Sequence, residues 1–250
     1  MLSQAEKGGV QNTIQNCVTV LQNDPVLADS IRLNLLSERI DIVKPMGWQR
    51  SGPTLTDTDM MYILRRMEKY GLYSEKRVSA AIRIVANENH YHPIRDYLND
   101  LKWDGTERIS HALHRFLGAA EDELTAEALK IFLLGAIKRV FHPGCKFEMM
   151  LCLVGGQGAG KSSFFRLLAI KDEWFSDDLR RMDDDNVFRK LQGHWIMEMS
   201  EMIATANAKS IEEIKSFLSK QKETYKIPYE THPADRLRQC VFAGTTNRQD

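Results

Sequence analysis

The sequence predicts an α/β protein, a parallel sheet flanked by helices, preceded by a mainly α-helical N-terminal domain. Three observations carry this. The apolar run 147–154, broken only by Glu148, has the pattern of a strand buried on both faces of a parallel sheet, and it passes into a glycine-rich turn and then an amphipathic segment, 163–168, in the order strand, loop, helix. Two later runs, 193–201 and 238–247, are apolar along most of their length and end in polar residues, as further strands would. Between residues 56 and 101, apolar side chains recur at helical spacing.

A chain of 250 residues has room for one large or two modest domains. Its 43% hydrophobic and 27% charged residues are an ordinary globular composition, which argues against disorder. Lys+Arg and Asp+Glu both number 34, so any basic surface must be local. Cys17, Cys145, Cys152 and Cys240 lack paired ligand spacing. Cys152 and Cys240 lie in apolar runs and are expected to be buried free thiols, a usage that fits a reducing cytoplasm. No run reaches the length of a membrane span, and no basic-then-apolar leader opens the chain, so no membrane partner is expected.

Residues 1–10 are polar and glycine-containing, a linker or loose terminus. Residues 12–21 carry Ile14, Val18 and Leu21 at helical spacing behind Asn12 or Thr13 as cap, and Asp24-Pro25 interrupts them. Residues 31–36 and 39–43 alternate and meet at Ser37-Glu38, predicting a short hairpin. Thr56 caps a helix striped by Met60, Ile63, Leu64 and Met67 and ended by Gly71. Ser74 caps the next, striped by Val78, Ala81, Ile82 and Val85, and 94–101 is a short third. His90, His92, His111 and His114 have no cysteine or carboxylate at ligand spacing, so solvated or hydrogen-bonded rings are expected rather than a metal site.

The turn Trp103-Asp104-Gly105-Thr106 sets the expected boundary, with a helical domain over 1–104 and the sheet domain over 105–250. Residues 107–117 and 125–141 read as helices. The second carries Leu129, Phe132, Leu133, Ala136, Ile137 and Val140 and stops at His142-Pro143-Gly144.

Gly155-Gly156-Gln157-Gly158-Ala159-Gly160-Lys161-Ser162 satisfies G-x-x-x-x-G-K-[ST]. Phosphates must lie against backbone N–H groups, and glycines let the loop curl and approach them closely. The following helix turns its positive end to the anion. Lys161 would reach the β- and γ-phosphates and the Ser162 hydroxyl would ligate Mg2+, with residues 156–163, Ser163 included, cradling ATP. The pattern predicts a P-loop nucleotide site.

Hydrolysis needs an acid at the end of another central strand. Run 193–201 holds Glu198 and Glu201 in place of the usual Asp-Glu pair. Three apart, they point to opposite sides of an extended strand unless the chain turns at Ser200. Glu198 is assigned to the metal and Glu201 to water activation, and the two roles are exchangeable. Asp183, Asp184 and Asp185 follow Arg180-Arg181 and read as a solvated turn. Residues 210–220 form an amphipathic helix. Lys220, Lys222, Tyr225 and Lys226 then mix cations and rings, as suits single-stranded DNA and equally a plain solvated hairpin. Lys226 is also a candidate to contact a neighbouring subunit's nucleotide. Asn247, after the last strand, is placed to bond the γ-phosphate or the attacking water.

The combination resembles the virulence-associated protein E family. The likeness is carried by Trp103-Asp104-Gly105 with Arg108-Ile109, by Pro143-Gly144-Cys145-Lys146-Phe147, by Gly155 through Ser162, by 195–201, by Lys215-Ser-Phe-Leu-Ser219 and by 238–247. It implies a P-loop ATPase of the AAA+/superfamily 3 helicase-like type, encoded by a prophage or pathogenicity island and acting on DNA during mobile-element replication in the bacterial cytoplasm. It also implies assembly as a ring, in which one subunit's arginine completes its neighbour's site; Arg236 and Arg238 are the candidates. The family continues past Thr-Thr-Asn with further arginines, so the ATPase core is expected to be C-terminally incomplete here and ATP binding more secure than turnover. The rivals are a DNA-binding, nucleotide-binding scaffold without hydrolysis and a small-molecule kinase. An asparagine after a late strand and the lack of an arginine-rich lid oppose the kinase.

Overall fold

Short polar side chains start several helices by accepting backbone N–H groups that have no partner within the helix. Thr13 Oγ1 accepts the Asn16 N–H at 3.1 Å and opens α1 (Ile14–Asn23). Strands β1 (Ile31–Asn34) and β2 (Arg39–Ile42) pair antiparallel as a hairpin. Thr56 and Asp59 form a reciprocal capping box at α2 (Asp57–Met67), and Gly71, at φ 74°, closes the 3-10 turn that follows. Next come α3 (Glu75–Glu88), which the Ser74 side chain does not cap, and α4 (Pro93–Asp100).

This computed structural model describes residues 2–4, 8–179, 187–200, 208–225 and 234–247. It clusters into two units, Met1–Asp96 and Tyr97–Asp250, dividing within α4 rather than at the 103–106 turn. In the first unit the stripes of α1, α2 and α3 bury Cys17, Leu21, Ile63, Met67, Val78 and Ile82 in one core with the hairpin's Ile31 and Ile42. Asp24 is buried too. Burial pushes its carboxyl up, but donation from Arg66, Tyr70 and the Val26 and Leu27 N–H groups outweighs this and holds it below its ordinary value.

The second unit runs α5 (Ile109–Leu117), α6 (Glu123–Phe141), β3 (Met150–Val154), α7 (Lys161–Leu168), β4 (Phe175–Ser176), α8 (Val187–Leu191), β5 (Ile196–Ser200), α9 (Ala208–Ser219), the hairpin β6 (Lys222–Tyr225) and β7 (Ala234–Leu237), and β8 (Val241–Thr246). Among the described residues β3, β8, β5 and β4 form a parallel sheet in that order. Alternation along β5 and β8 sends Met197, Met199 and Phe242 into a core with Val187 and Leu191 of α8 and Ile214, Phe217 and Leu218 of α9. Glu198, Ala243 and Thr245 therefore turn to the opposite face, towards α7. Behind that face Phe165 of α7 meets Phe132 of α6, ring centroids 5.8 Å apart.

Two expectations change. The run 147–154 is a strand only over Met150–Val154, and it lies at the sheet's margin rather than buried on both faces: Val154 is 58% exposed. Cys152 is accordingly exposed, whereas Cys240 is buried as expected. An apolar run gives a strand but not its rank in the sheet, and here the last strand in sequence, β8, takes the central place beside β3. Among the described residues no helix is long and apolar enough to cross a membrane.

Candidate functional site

Gly158 and Gly160, at φ 81° and 82°, bend the chain between β3 and α7 through the left-handed region that favours glycine. A Cβ on Gly155, Gly156 or Gly158 would meet nothing within 4 Å, so this stretch presents backbone to open space. α7 begins at Lys161, and its free N–H groups and positive dipole end face the same space. Lys161 Nζ donates to the carbonyls of Gly155 and Gly156, both at 2.8 Å, and to Asn247 Oδ1 at 3.0 Å. Its three protons thus tie the loop to the end of β8.

Behind Lys161 lies an acid without exposed surface. Glu198 Oε1 accepts three hydroxyls: Ser162 at 2.6 Å, Ser200 at 3.0 Å and Thr245 at 2.5 Å. Glu198 Oε2 is also buried and has no hydrogen-bond partner among the described residues. A bare buried carboxyl oxygen is costly, and oxygen donors so grouped beside a hydroxyl are those a small hard cation takes. The loop, the start of α7, Ser200, Thr245 and Asn247 line a cleft of about 340 Å³.

One cleft thus brings together residues 157–163 and Asn247, with Glu198 buried behind it and bonded to Ser162, Ser200 and Thr245 of its lining. Ser200 and Thr245 escaped the sequence reading as functional side chains. The period-two alternation from Glu198 was the available signal for Ser200, and parallel registry sets Thr245 opposite it. Glu201 and Lys226 lie outside the described residues, as do Asp183, Asp184 and Asp185, and of Tyr225 only the backbone is described.

The proposed DNA-contacting lysines sit on or beside a hairpin. Lys222 pairs with Asp235 across β6 and β7, and Thr224 Oγ1 donates to the same carboxylate at 2.6 Å. The two hold Asp235 below its ordinary value. Lys220 Nζ lies 3.7 Å from Glu223 Oε2. Arg238 is a correction. It is buried, bonded to the Phe217 carbonyl and, at 2.5 Å, to Glu223 Oε1, and its guanidinium stacks 4.6 Å from the Phe217 ring centroid. Its guanidinium is thus enclosed within this chain rather than presented at the surface, where an arginine acting on a neighbour would be expected. Arg236, on β7, is half-buried. His111 contacts Glu121 and His114 the Ala119 carbonyl, both at 2.8 Å, and among the described residues no three His, Cys, Asp or Glu side chains are grouped to hold a metal.

The sheet and its loop define a parallel α/β protein whose candidate cleft opens at the carboxyl ends of the strands. The profile of the virulence-associated protein E-like domain matches residues 98–250, and the chain belongs to that family. Among solved structures it is similar to the A-form apo structure of the NrS-1 C-terminal region, at 13% identity and TM-score 0.50, over 87% of this chain and 53% of that one. Against the apo structure of NrS-1 residues 305–718 the identity is 11% and the TM-score 0.52, over 95% of this chain and 58% of that one. This chain thus spans little more than half the length of those structures, and at such identities the likeness is one of fold. No curated protein matches it.

Proposed function

We propose that the glycine-rich loop is a P-loop that binds ATP with Mg2+, and that the chain is a DNA-associated, helicase-like ATPase of the AAA+/superfamily 3 kind serving replication of a mobile element. The observation that carries this reading is the buried carboxylate of Glu198, whose Oε1 accepts the Ser162 hydroxyl and whose Oε2 has no partner among the described residues, behind a loop whose glycines leave backbone open to the cleft. Residues 156–163 would donate N–H groups to the phosphates. Lys161 would exchange its loop carbonyls and Asn247 for β- and γ-phosphate oxygens, and Ser162 and Glu198 would hold the cation. When bound, Mg2+ would neutralise charge on the bridging phosphates. Asn247, released from Lys161, would orient the attacking water, with Glu201 assigned to accept its proton. Single-stranded DNA contact through Lys220, Lys222, Tyr225 and Lys226, and ring assembly with Arg236 reaching the adjacent subunit, belong to the same proposal.

ATP turnover measured with and without single-stranded DNA tests it. Wild type is expected to hydrolyse ATP faster with DNA, Lys161→Ala to lose ATP binding, and Glu198→Gln to lose the dependence of binding on Mg2+. Glu201→Gln should keep binding and lose at least about 100-fold in turnover. Unchanged ATP binding in Lys161→Ala would sink the P-loop reading, while binding without turnover in wild type would leave a nucleotide-dependent scaffold.

A further inference from the structure

α5 ends against the loop: a Cβ on Gly160 would stand 3.9 Å from Leu117 Cδ2. Between that end and α7 lies a second cavity of about 380 Å³, walled by Phe116, Leu117, Phe164 and Leu167. It shares Gly160 and Ser163 with the phosphate-side cleft, so the two adjoin at the start of α7. Positions 160, 163, 164 and 167 form an i, i+3, i+4, i+7 stripe, so one face of α7 runs from the loop along the cavity for about 10 Å. Phe116 and Leu167 are 66% and 76% exposed, large apolar side chains left in water beside a polar cleft.

We infer that this cavity receives the base of the nucleotide whose phosphates the loop takes, with Phe116 against its face, and that it discriminates little between bases. The inference rests on the triphosphate reading above. An aromatic ring and aliphatic walls recognise the flat π face that every base has. Among the described residues the side-chain polar group in this lining is the Ser163 hydroxyl, and the lining holds no carboxylate or amide side chain to select one base edge over another. The cavity's size suits a small-molecule moiety, and its junction at Gly160 and Ser163 leaves the sugar to bridge base and phosphates.

Titration calorimetry of the full chain with ATP, GTP, CTP and inorganic tripolyphosphate, all with Mg2+, tests this. Phe116→Ala and Leu167→Ser alter exposed side chains, and circular dichroism checks that both fold. Each is expected to weaken all three nucleotides about tenfold while leaving tripolyphosphate unchanged, and ATP and GTP are expected to bind wild type with similar affinity. Lys161→Ala should weaken every ligand, tripolyphosphate included. If both cavity variants bind ATP like wild type while Lys161→Ala does not, the base lies elsewhere and only this inference falls. Equal losses for tripolyphosphate would also overturn it, as would strong preference for one base. Failure of both ATP and tripolyphosphate to bind wild type would remove the triphosphate reading with it.

Discussion

Arg139 is fully buried, an unusual fate for a cation on a helix. Its guanidinium forks between the Cys240 carbonyl at 2.9 Å and the Phe147 carbonyl at 2.7 Å, tying α6 to the approaches of β8 and β3. Burial lowers its affinity for the proton from the ordinary arginine value. Arg139→Met should cost about 2–4 kcal/mol, because one buried and one part-buried carbonyl lose their donor. Arg139→Lys should recover only part of this, since an ammonium cannot span both carbonyls. Urea unfolding midpoints measure both, and a neutral Arg139→Met would refute the role. Spacing held the signal, for Arg139 stands three residues after buried Ala136 on the same stripe. Arg238 offered no such signal: its burial depends on Glu223 and Phe217, brought near only by the fold.

At the scale of elements, the strand–loop–helix unit was legible because each part has its own chemistry: an apolar run, glycines where φ is positive, then a helical stripe. The acid's strand was legible too, but not its hydroxyl partners, which come from two strands and a helix. The first unit's α2 rests on an acid of another kind. Asp59 accepts Arg50 Nε at 2.8 Å, Trp48 Nε1 at 2.7 Å and the Thr56 N–H at 2.9 Å. Burial pushes its carboxyl up, but these donors prevail and hold it far below its ordinary value. A pKa depressed on folding contributes stability above the unfolded value of about 4, and that contribution is lost as pH falls through the folded value. Denaturant midpoints of the first unit should therefore drop steeply below about pH 4, and Asp59→Asn should start lower and fall less. An equal slope in the variant would remove Asp59 from this account.

For the molecule as a whole, the two units have separate cores, and the family match lies wholly in the second. Unfolding should show two transitions. MgATP at 100 times its Kd should raise the transition of 97–250 by about 2.7 kcal/mol and leave that of 1–96 in place. A single transition that moves as one would contradict the separation. Sheet order was the least legible property, since nothing local in β3 or β8 says they are neighbours. That order has a mechanical outcome. Among the described residues β3 is braced along one flank only, by β8, so the glycine loop hangs from a rail with one side open. Any backbone laid along the open side would stiffen the root of the loop, and with it the grip on whatever the loop holds, without touching a residue of the cleft.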